Sequence, residues 1–376
     1  PCTSGLTRIY LTQRAGSLLY EMSYTGPSHR FDCSAELSVR TPDEDKPDYV
    51  LTMQTADTLP YEIDIGWGQT SVYCLNAYRT DPTHLREEIC AHFWNQISSG
   101  HSASDPYLSD GSFPVQLYMN GSFRGLYMLS YPPGYHASSG RAAFVQNGAG
   151  SGSLFQSEPI KYGESATGNR FPYLSAPGSD REPELWESFQ AFHAFVRESS
   201  DEDFVKHLKN YADADALADA LLFSVLFHAG DAGQTGMIWH TDDGKKWAAD
   251  FRSLECSAGI SSSGGTVAPE YRLLIRVQEK PAYTGNSRLW ERLTELFPEK
   301  LAERYALIRE KVSAESVSAY FKALYDAIPP ELAEAEKTVY PDAAEPANAP
   351  ELTAFLTERF RRMDEVFRSD ENQSGG

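Results

Sequence analysis

The sequence predicts an α+β fold with two lobes, an N-terminal antiparallel-sheet lobe with one helix and a mainly helical C-terminal lobe. Between residues 6 and 80, short runs in which apolar and polar side chains alternate are separated by Pro and Gly, as in antiparallel strands. From Glu184 onward, apolar residues recur at helical spacing. A chain of 376 residues also exceeds one hydrophobic core. We expect lobes over residues 1–135 and 136–368 and a disordered tail over 369–376.

The strands of the N-terminal lobe are predicted from their alternation and from the turns between them. They cover residues 6–12, 17–24, 35–40, 49–53 and 69–75. The clearest hairpin spans residues 114–131, because Asn120-Gly121 between two alternating runs is a strong signal of a two-residue turn. The one helix follows Asp81 and Pro82, a capping residue and a proline suited to the first helical position.

The C-terminal lobe is predicted to begin with helices that carry apolar stripes from Leu185 and from Leu217. Further helices are expected over residues 271–277, 287–297, 299–312, 314–327 and 350–367. Short strands are expected over residues 143–145, 153–156 and 237–239. The last of these strands leads into a hairpin turn at Asp242-Asp243-Gly244.

The charge of the chain argues against two classes of partner. The chain carries 53 acidic and 33 basic residues, a net charge of -20, which repels the phosphates of nucleic acids and anionic lipid headgroups. No apolar run reaches the roughly 18 residues that indicate a transmembrane helix. The composition therefore predicts a globular protein that binds neither nucleic acid nor an anionic membrane surface, and it leaves the oligomeric state open.

The five cysteines are too scattered to predict a disulfide framework or a zinc site. Cys74 and Cys90 lie among apolar residues and are expected to be buried thiols. Cys2 occupies the position at which a bacterial lipoprotein carries its acylated cysteine after signal removal. A lipid anchor at Cys2 is therefore a hypothesis, which the mass of the native protein would test.

Two aspartates, Asp231 and Asp250, flank the predicted hairpin and could position a metal-bound nucleotide. Structural roles are equally open to them. Asp231 could cap a turn after a helix, and Asp250 could pair with Arg252 or Lys246 on an exposed strand. His228 and His240 lie near the same hairpin but have no third metal ligand at a useful spacing.

Motifs in a fixed order point to a known family. Residues 73–96 contain a Leu-Asn pair followed by Asp81 and Arg86, and residues 117–130 contain Asn-Gly-x-Phe-x-Gly-Leu-Tyr. An apolar helix before Asp231, a Lys-Trp strand that ends at Asp250 and a closing amphipathic helix follow. This ordered set resembles the CotH kinase family over about residues 6 to 367.

The resemblance implies a two-lobed protein-kinase-like fold and an atypical kinase that transfers phosphate from ATP to surface proteins, such as bacterial spore-coat components. It implies that Lys46 contacts phosphate, that Asp231 is the catalytic aspartate and that Asp250 binds Mg²⁺. It also implies a protein substrate or partner and a cell-surface or secreted setting. The residues alone leave another role open, in which Lys46 is a solvated loop lysine.

Several positions depart from the pattern of the family. Its Arg-Gly-x-Ser-Ser loop is reduced to Arg40-Thr41-Pro42, and the acidic residues that follow would repel a triphosphate. Tyr131 replaces a glutamate, and Gln156 replaces a lysine. Gly236 replaces an asparagine, and Arg252 replaces a second metal-binding aspartate. These losses argue against ordinary ATP chemistry.

Three functions stay open. The preferred one is a pseudokinase that keeps its scaffold for binding or assembly. The second is an active divergent kinase, in which Glu255 or Asp242 replaces a lost ligand. The third is a secreted carbohydrate- or protein-binding module with exposed aromatic anchors. The aromatic candidates, which could equally be core residues, are Tyr61, Trp67, Tyr73, Tyr78, Tyr131 and Tyr135. Arg359, Arg361 and Arg362 are expected to form a solvated helix face.

Overall fold

Two units divide the chain, and each is assembled from segments that are distant in sequence. Unit 1 comprises residues 1–89, 110–135 and 319–349, and unit 2 comprises residues 90–109, 136–318 and 350–376. The computed structural model describes residues 6–65, 68–81, 83–98, 112–131, 142–145, 173–175, 182–229, 237–241, 244–251, 254–261, 264–277, 280–284, 287–341 and 349–367. Asp231, the predicted strand 153–156 and the predicted tail 369–376 lie outside these described residues.

The described residues contain strands and helices with the following bounds. The strands are β1 (Thr7–Gln13), β2 (Leu19–Thr25), β3 (Arg30–Val39), β4 (Tyr49–Gln54), β5 (Ile63–Asp64), β6 (Gln69–Thr70), β7 (Val72–Asn76), β8 (Ser112–Met119), β9 (Ser122–Ser130), β10 (Ala142–Val145), β11 (Tyr173–Ser175), β12 (Met237–Thr241), β13 (Ala248–Phe251), β14 (Leu274–Val277) and β15 (Lys280–Tyr283). The helices are α1 (Arg86–Ser98), α2 (Glu182–Glu198), α3 (Asp201–His207), α4 (Ala214–Phe227), α5 (Arg288–Leu296), α6 (Pro298–Lys311), α7 (Ala314–Asp326), α8 (Pro330–Val339) and α9 (Ala349–Val366).

Unit 1 is built on a closed barrel of seven strands in the order β1-β2-β3-β4-β7-β9-β8. Six neighbouring pairs are antiparallel, and the barrel closes through the parallel pairing of β1 with β8. A closed ring with an odd number of strands requires at least one parallel pair, because directions cannot alternate all the way round. Closure pairs the edges that an open sheet would expose.

The closed barrel corrects the predicted fold class. The expected two-lobed, protein-kinase-like fold with an N-terminal antiparallel-sheet lobe is wrong, because that sheet closes on itself through a parallel strand pair. Alternating side chains predict strands with one buried face, and an open sheet and a small barrel share this pattern. The pairing of Thr7 with Val115 that closes the ring is non-local, so local sequence does not reveal it.

The barrel interior follows from the alternation of each strand. In β1, Ile9 and Leu11 are almost fully buried, while Arg8 and Tyr10, which alternate with them, face outward. The predicted hairpin is confirmed: Asn120 and Gly121 connect β8 to β9 with φ values of 50° and 79°. Positive φ at both positions is the geometry of a type I′ turn, which Asn-Gly favours.

Unit 2 contains a four-stranded sheet in the order β11-β10-β12-β13 and a separate hairpin of β14 and β15. The predicted helices that correspond to α5, α6, α7 and α9 are confirmed, but the lobe is less purely helical than expected. The helix predicted over residues 271–277 is wrong, because residues 274–277 form β14. A short apolar run does not distinguish a strand from one helical turn.

The C-terminal end of α4 is fixed by a buried arginine from α9. Arg359 is 0% exposed, so its predicted place on a solvated face is wrong. Its guanidinium donates to the backbone oxygens of Val225, Pro269, Tyr271 and Arg272. Burial lowers the pKa of Arg359 to about 9. A cation near the last carbonyls of a helix is favourable, so Arg359 fixes the end of α4.

No helix in the part of the chain that the structure describes is both long enough and apolar enough to cross a membrane.

We expect Arg359→Met to lower the free energy of unfolding by about 3 kcal/mol or more, because buried carbonyl oxygens that lose their donor remain desolvated. Urea denaturation followed by circular dichroism would measure the change. Arg361→Met is the matched control on α9, since Arg361 is exposed and pairs with Glu358 and Glu365. The control should cost less than about 1 kcal/mol. Equal losses in the two variants would contradict the role of Arg359.

Candidate functional site

Lys46 lies in the loop between β3 and β4 and is 4% exposed. Its ammonium donates to the backbone oxygen of Leu126 at 2.6 Å, to that of Ala77 at 3.3 Å and to Glu336 Oε1. A lysine ammonium has three N–H groups, and here each has an oxygen acceptor. The interpretation of Lys46 as a solvated loop lysine is therefore wrong.

Glu336 of α8 is the anionic partner of Lys46. Its other carboxylate oxygen, Oε2, lies 3.3 Å from His84 Nε2. Burial alone would raise the pKa of Glu336, but nearby His84 and Lys46 outweigh it and hold the pKa at about 2. Burial also lowers the pKa of Lys46, while Glu336 opposes that shift. Lys46 and Glu336 stay ionised because each offsets the charge of the other in a region that excludes water.

Gly125 makes room for Glu336 on β9. Its φ is +114°, and the β8–β9 register shifts at this point. A Cβ at Gly125 would lie 3.0 Å from Glu336 Oε1, 3.2 Å from Tyr340 Cε2 and 3.3 Å from Lys46 Cε. Glycine is therefore required both for the backbone conformation and for the close approach of the segment that follows α7.

Two tyrosine rings complete the surroundings of Lys46. The ammonium lies 4.9 Å from the ring centroid of Tyr127 and 5.8 Å from that of Tyr340. The Tyr340 hydroxyl donates to the backbone oxygen of Arg124 at 2.8 Å. Lys46, Glu336 and His84 thus form one buried polar cluster on unit 1, which we call the Lys46 cluster, and the partly buried Tyr340 adjoins it.

The motif residues Asp81 and Arg86 stabilise the start of α1. Asp81 is 0% exposed, and its carboxylate accepts the backbone N–H groups of Thr83 and Arg86 and pairs with the Arg86 guanidinium. Asp81 therefore has a structural role, but the prediction that it is the N-cap is wrong, because α1 begins at Arg86, four residues beyond the predicted start. Asn76 also has a bonding role, because its amide donates to Ser130 Oγ at 2.8 Å.

Asp250 lies on β13 in unit 2 and is 1% exposed. Its Oδ1 accepts the indole N–H of Trp94 and the backbone N–H of Phe251. The alternative in which Asp250 sits on an exposed strand is wrong, since all four residues of β13 are buried. Lys46 and Asp250 belong to different units, and Asp231 lies outside the described residues, so their joint function stays a prediction.

The geometry around Lys46 does not fit a phosphate group as it stands. Every N–H group of the ammonium is already donated to an oxygen of unit 1. Within the described ranges, no group of three or more His, Cys, Asp or Glu side chains is arranged to hold a metal ion. We therefore derive no reaction step through ATP or Mg²⁺ from this geometry.

Sequence reasoning missed Glu336 and the helix that carries it. Pro330 at the first position of α8 and the mostly good helix formers over residues 331–339 are signals that could have predicted this helix. The burial of Glu336 has no local signal, because its neighbours in α8 are charged, small or exposed. His84 was likewise missed, although its φ of 57° marks an unusual backbone conformation.

We expect Glu336→Gln to lower the free energy of unfolding by about 3 kcal/mol at pH 7, because it leaves Lys46 buried without its anion. The folded-state pKa of Glu336, about 2, is below its usual 4.5. Its contribution is therefore fully present above about pH 4.5 and is lost as the pH falls towards 2. The difference between wild type and variant should shrink over that range in urea titrations. Exposed Glu334→Gln on α8 is the control, and a difference independent of pH would contradict the assignment.

We expect Asp250→Ala to lower the free energy of unfolding by about 2 kcal/mol, because the Trp94 indole N–H loses its acceptor inside unit 2. Asp250→Asn keeps an acceptor oxygen and should cost less. Thermal and urea denaturation of the two variants would measure the difference. If Asp250→Ala is as stable as wild type, the contact with Trp94 does not stabilise the fold.

Comparison with known proteins places the chain in a family. The sequence profile described as CotH kinase protein matches residues 67–363, which is most of the chain. The matched region includes Asp81, the β8–β9 hairpin, Asp250 and Glu336, and it begins after Lys46. No curated protein matches the chain. The length of the profile match confirms the resemblance drawn from the motifs, and the chain belongs to the CotH kinase family.

Proposed function

We propose that this chain is a degenerate member of the CotH kinase family, a pseudokinase that serves as a binding or assembly module. The observation that carries the proposal is the complete use of the Lys46 ammonium inside unit 1. A lysine that contacts a nucleotide must direct at least one N–H group towards phosphate. Lys46 donates all three to Leu126, Ala77 and Glu336 instead.

A lysine–glutamate pair is by itself compatible with kinase activity, because active protein kinases contain one. Lys46 is distinguished from such a kinase lysine by two backbone carbonyl oxygens that also accept from its ammonium and by the small exposed fraction of its side chain. The Lys46 ammonium is held by Ala77 and Leu126 as well as by Glu336, and its side chain is 5% exposed. Phosphate would have to displace buried, charge-assisted contacts, which are among the strongest in a protein.

The environment of Asp250 supports the same proposal. Its Oδ1 accepts two N–H groups, from Trp94 and Phe251, so this oxygen already has structural partners. Magnesium prefers carboxylate oxygens that can complete a near-octahedral shell with water and phosphate. The sequence adds that Gly236 and Arg252 stand where the family has an asparagine and a second aspartate. A cation at a metal-ligand position disfavours Mg²⁺.

The partner of such a module is proposed to be another protein. The net charge of -20 disfavours nucleic acids and anionic lipids, and family members act on proteins. A bacterial cell-surface or secreted setting is proposed on the family resemblance.

A phosphoryl-transfer assay tests the proposal. With Mg-ATP labelled in the γ-phosphate and the full chain, we expect no incorporation into the chain or into a general protein substrate above that of Asp231→Ala. Calorimetry with Mg-ATP should detect no heat of binding at micromolar protein. An active member of the family serves as the positive control.

Incorporation by wild type that is lost in both Asp231→Ala and Asp250→Asn would establish the active divergent kinase instead. The asparagine variant is used because it preserves an acceptor for Trp94, so that a loss of activity is not a loss of folding. Circular dichroism of each variant would check this point.

A further inference from the structure

The α8 helix has an unusual attachment to the barrel. Of its ten residues, Glu336 is the buried one, while the apolar Leu332, Ala333 and Ala335 are only partly buried and Val339 is exposed. Helices on a protein surface are normally held by a buried apolar stripe. The attachment of α8 depends instead on a carboxylate that reaches into unit 1.

A second polar contact follows at the end of the helix. The Tyr340 hydroxyl donates to the backbone oxygen of Arg124, and its ring lies beside Gly125. Elements with few buried apolar contacts open at lower free energy than the rest of a fold. The segment 330–340, which we call the α8 strap, therefore has the properties of an element that can detach while the barrel stays folded.

The surface beneath the strap is basic. Without Glu336, Lys46 Nζ and His84 Nε2 would both face the space that its carboxylate fills. Leu126 and Ala77 would still hold the ammonium in place through their backbone oxygens. Among the described residues, none hydrogen-bonds to the buried Nδ1 of His84. Asp48 also acts electrostatically on Lys46, and its Oδ1 accepts the Ala77 N–H at 2.7 Å.

We infer that the α8 strap is an autoinhibitory element. The Glu336 carboxylate fills the position beside Lys46 and His84 at which a free anion would bind, and it excludes such anions. The occupant that competes with Glu336 is a phosphate-bearing anion, because a polyphosphate carries more charge than one carboxylate and accepts more hydrogen bonds. The inference goes beyond the proposed function, since it concerns access to Lys46 and requires no phosphoryl transfer.

Hydrogen exchange and binding of inorganic triphosphate test the strap in the full chain. Glu336→Gln should raise the exchange rates of the 330–340 amides by at least about tenfold, because its charged anchor is lost. At low ionic strength the variant should bind triphosphate at least about tenfold more tightly than wild type. Glu334→Gln, an exposed change on the same helix, should behave as wild type, and Lys46→Met in the Glu336→Gln background should abolish binding.

Tyr340→Phe provides a second variant that keeps the buried charge pair and removes the hydroxyl contact with Arg124. It should raise the exchange of the strap and the affinity for triphosphate in the same direction, by a smaller factor. If Glu336→Gln does not fold, Tyr340→Phe decides the question. Exchange of the strap that is unchanged in Tyr340→Phe, or wild type that binds triphosphate as tightly as the variants, would overturn the inference.

Two further measurements identify the class of anion and distinguish the strap inference from the proposed function. Equal binding of ATP and inorganic triphosphate to Glu336→Gln would support a site for the phosphates alone, and tighter binding of ATP would support a nucleotide site. Binding of neither would overturn the inference. Phosphoryl transfer by wild type would defeat the proposed function and leave the exchange result intact, so the failures of the two proposals are distinguishable.

Discussion

A buried ammonium is stable only where oxygen atoms replace its water, and this constraint at Lys46 organises unit 1. The requirement brings together the loop after β3, the main chain of β9 and the carboxylate of α8. The main chain of β9 and the carboxylate of α8 each contribute an oxygen atom to the ammonium. Gly125 leaves room for the carboxylate because it has no side chain. Removing any one of them leaves a charge in a region from which water is excluded, and that cost exceeds the net value of the pair itself.

Membership of the family does not by itself establish catalytic chemistry for this chain. The motif positions that carry the resemblance, such as Asp81, Arg86 and the Asn120-Gly121 turn, stabilise a helix start and a hairpin. They preserve the scaffold whether or not phosphate is handled. Lys46 lies before the region matched by the family profile, and its contacts are all internal. We therefore base the proposed function on those contacts.

Local features of the fold could be predicted from sequence, and non-local ones could not. The Asn120-Gly121 turn was predictable because the dipeptide itself determines the geometry. Non-local contacts determine the closure of the barrel and the burial of Lys46 and Glu336. The residues adjacent to them in sequence therefore give no signal. The burial of Arg359 had an overlooked signal: it falls on the same helical stripe as the buried Leu352, Leu356 and Met363.

The contact between Lys46 and Glu336 has a consequence for biosynthesis, because the two residues are 290 positions apart. At translation rates of about 5 to 20 residues per second, Lys46 leaves the ribosome roughly 15 to 60 seconds before its counter-ion exists. During that interval the Lys46 ammonium can be held by the backbone oxygens of Ala77 and Leu126 but has no counter-ion, so water takes the place of the Glu336 carboxylate. This charged contact of unit 1 therefore forms only after α8 has been synthesised, later than the strands of the barrel.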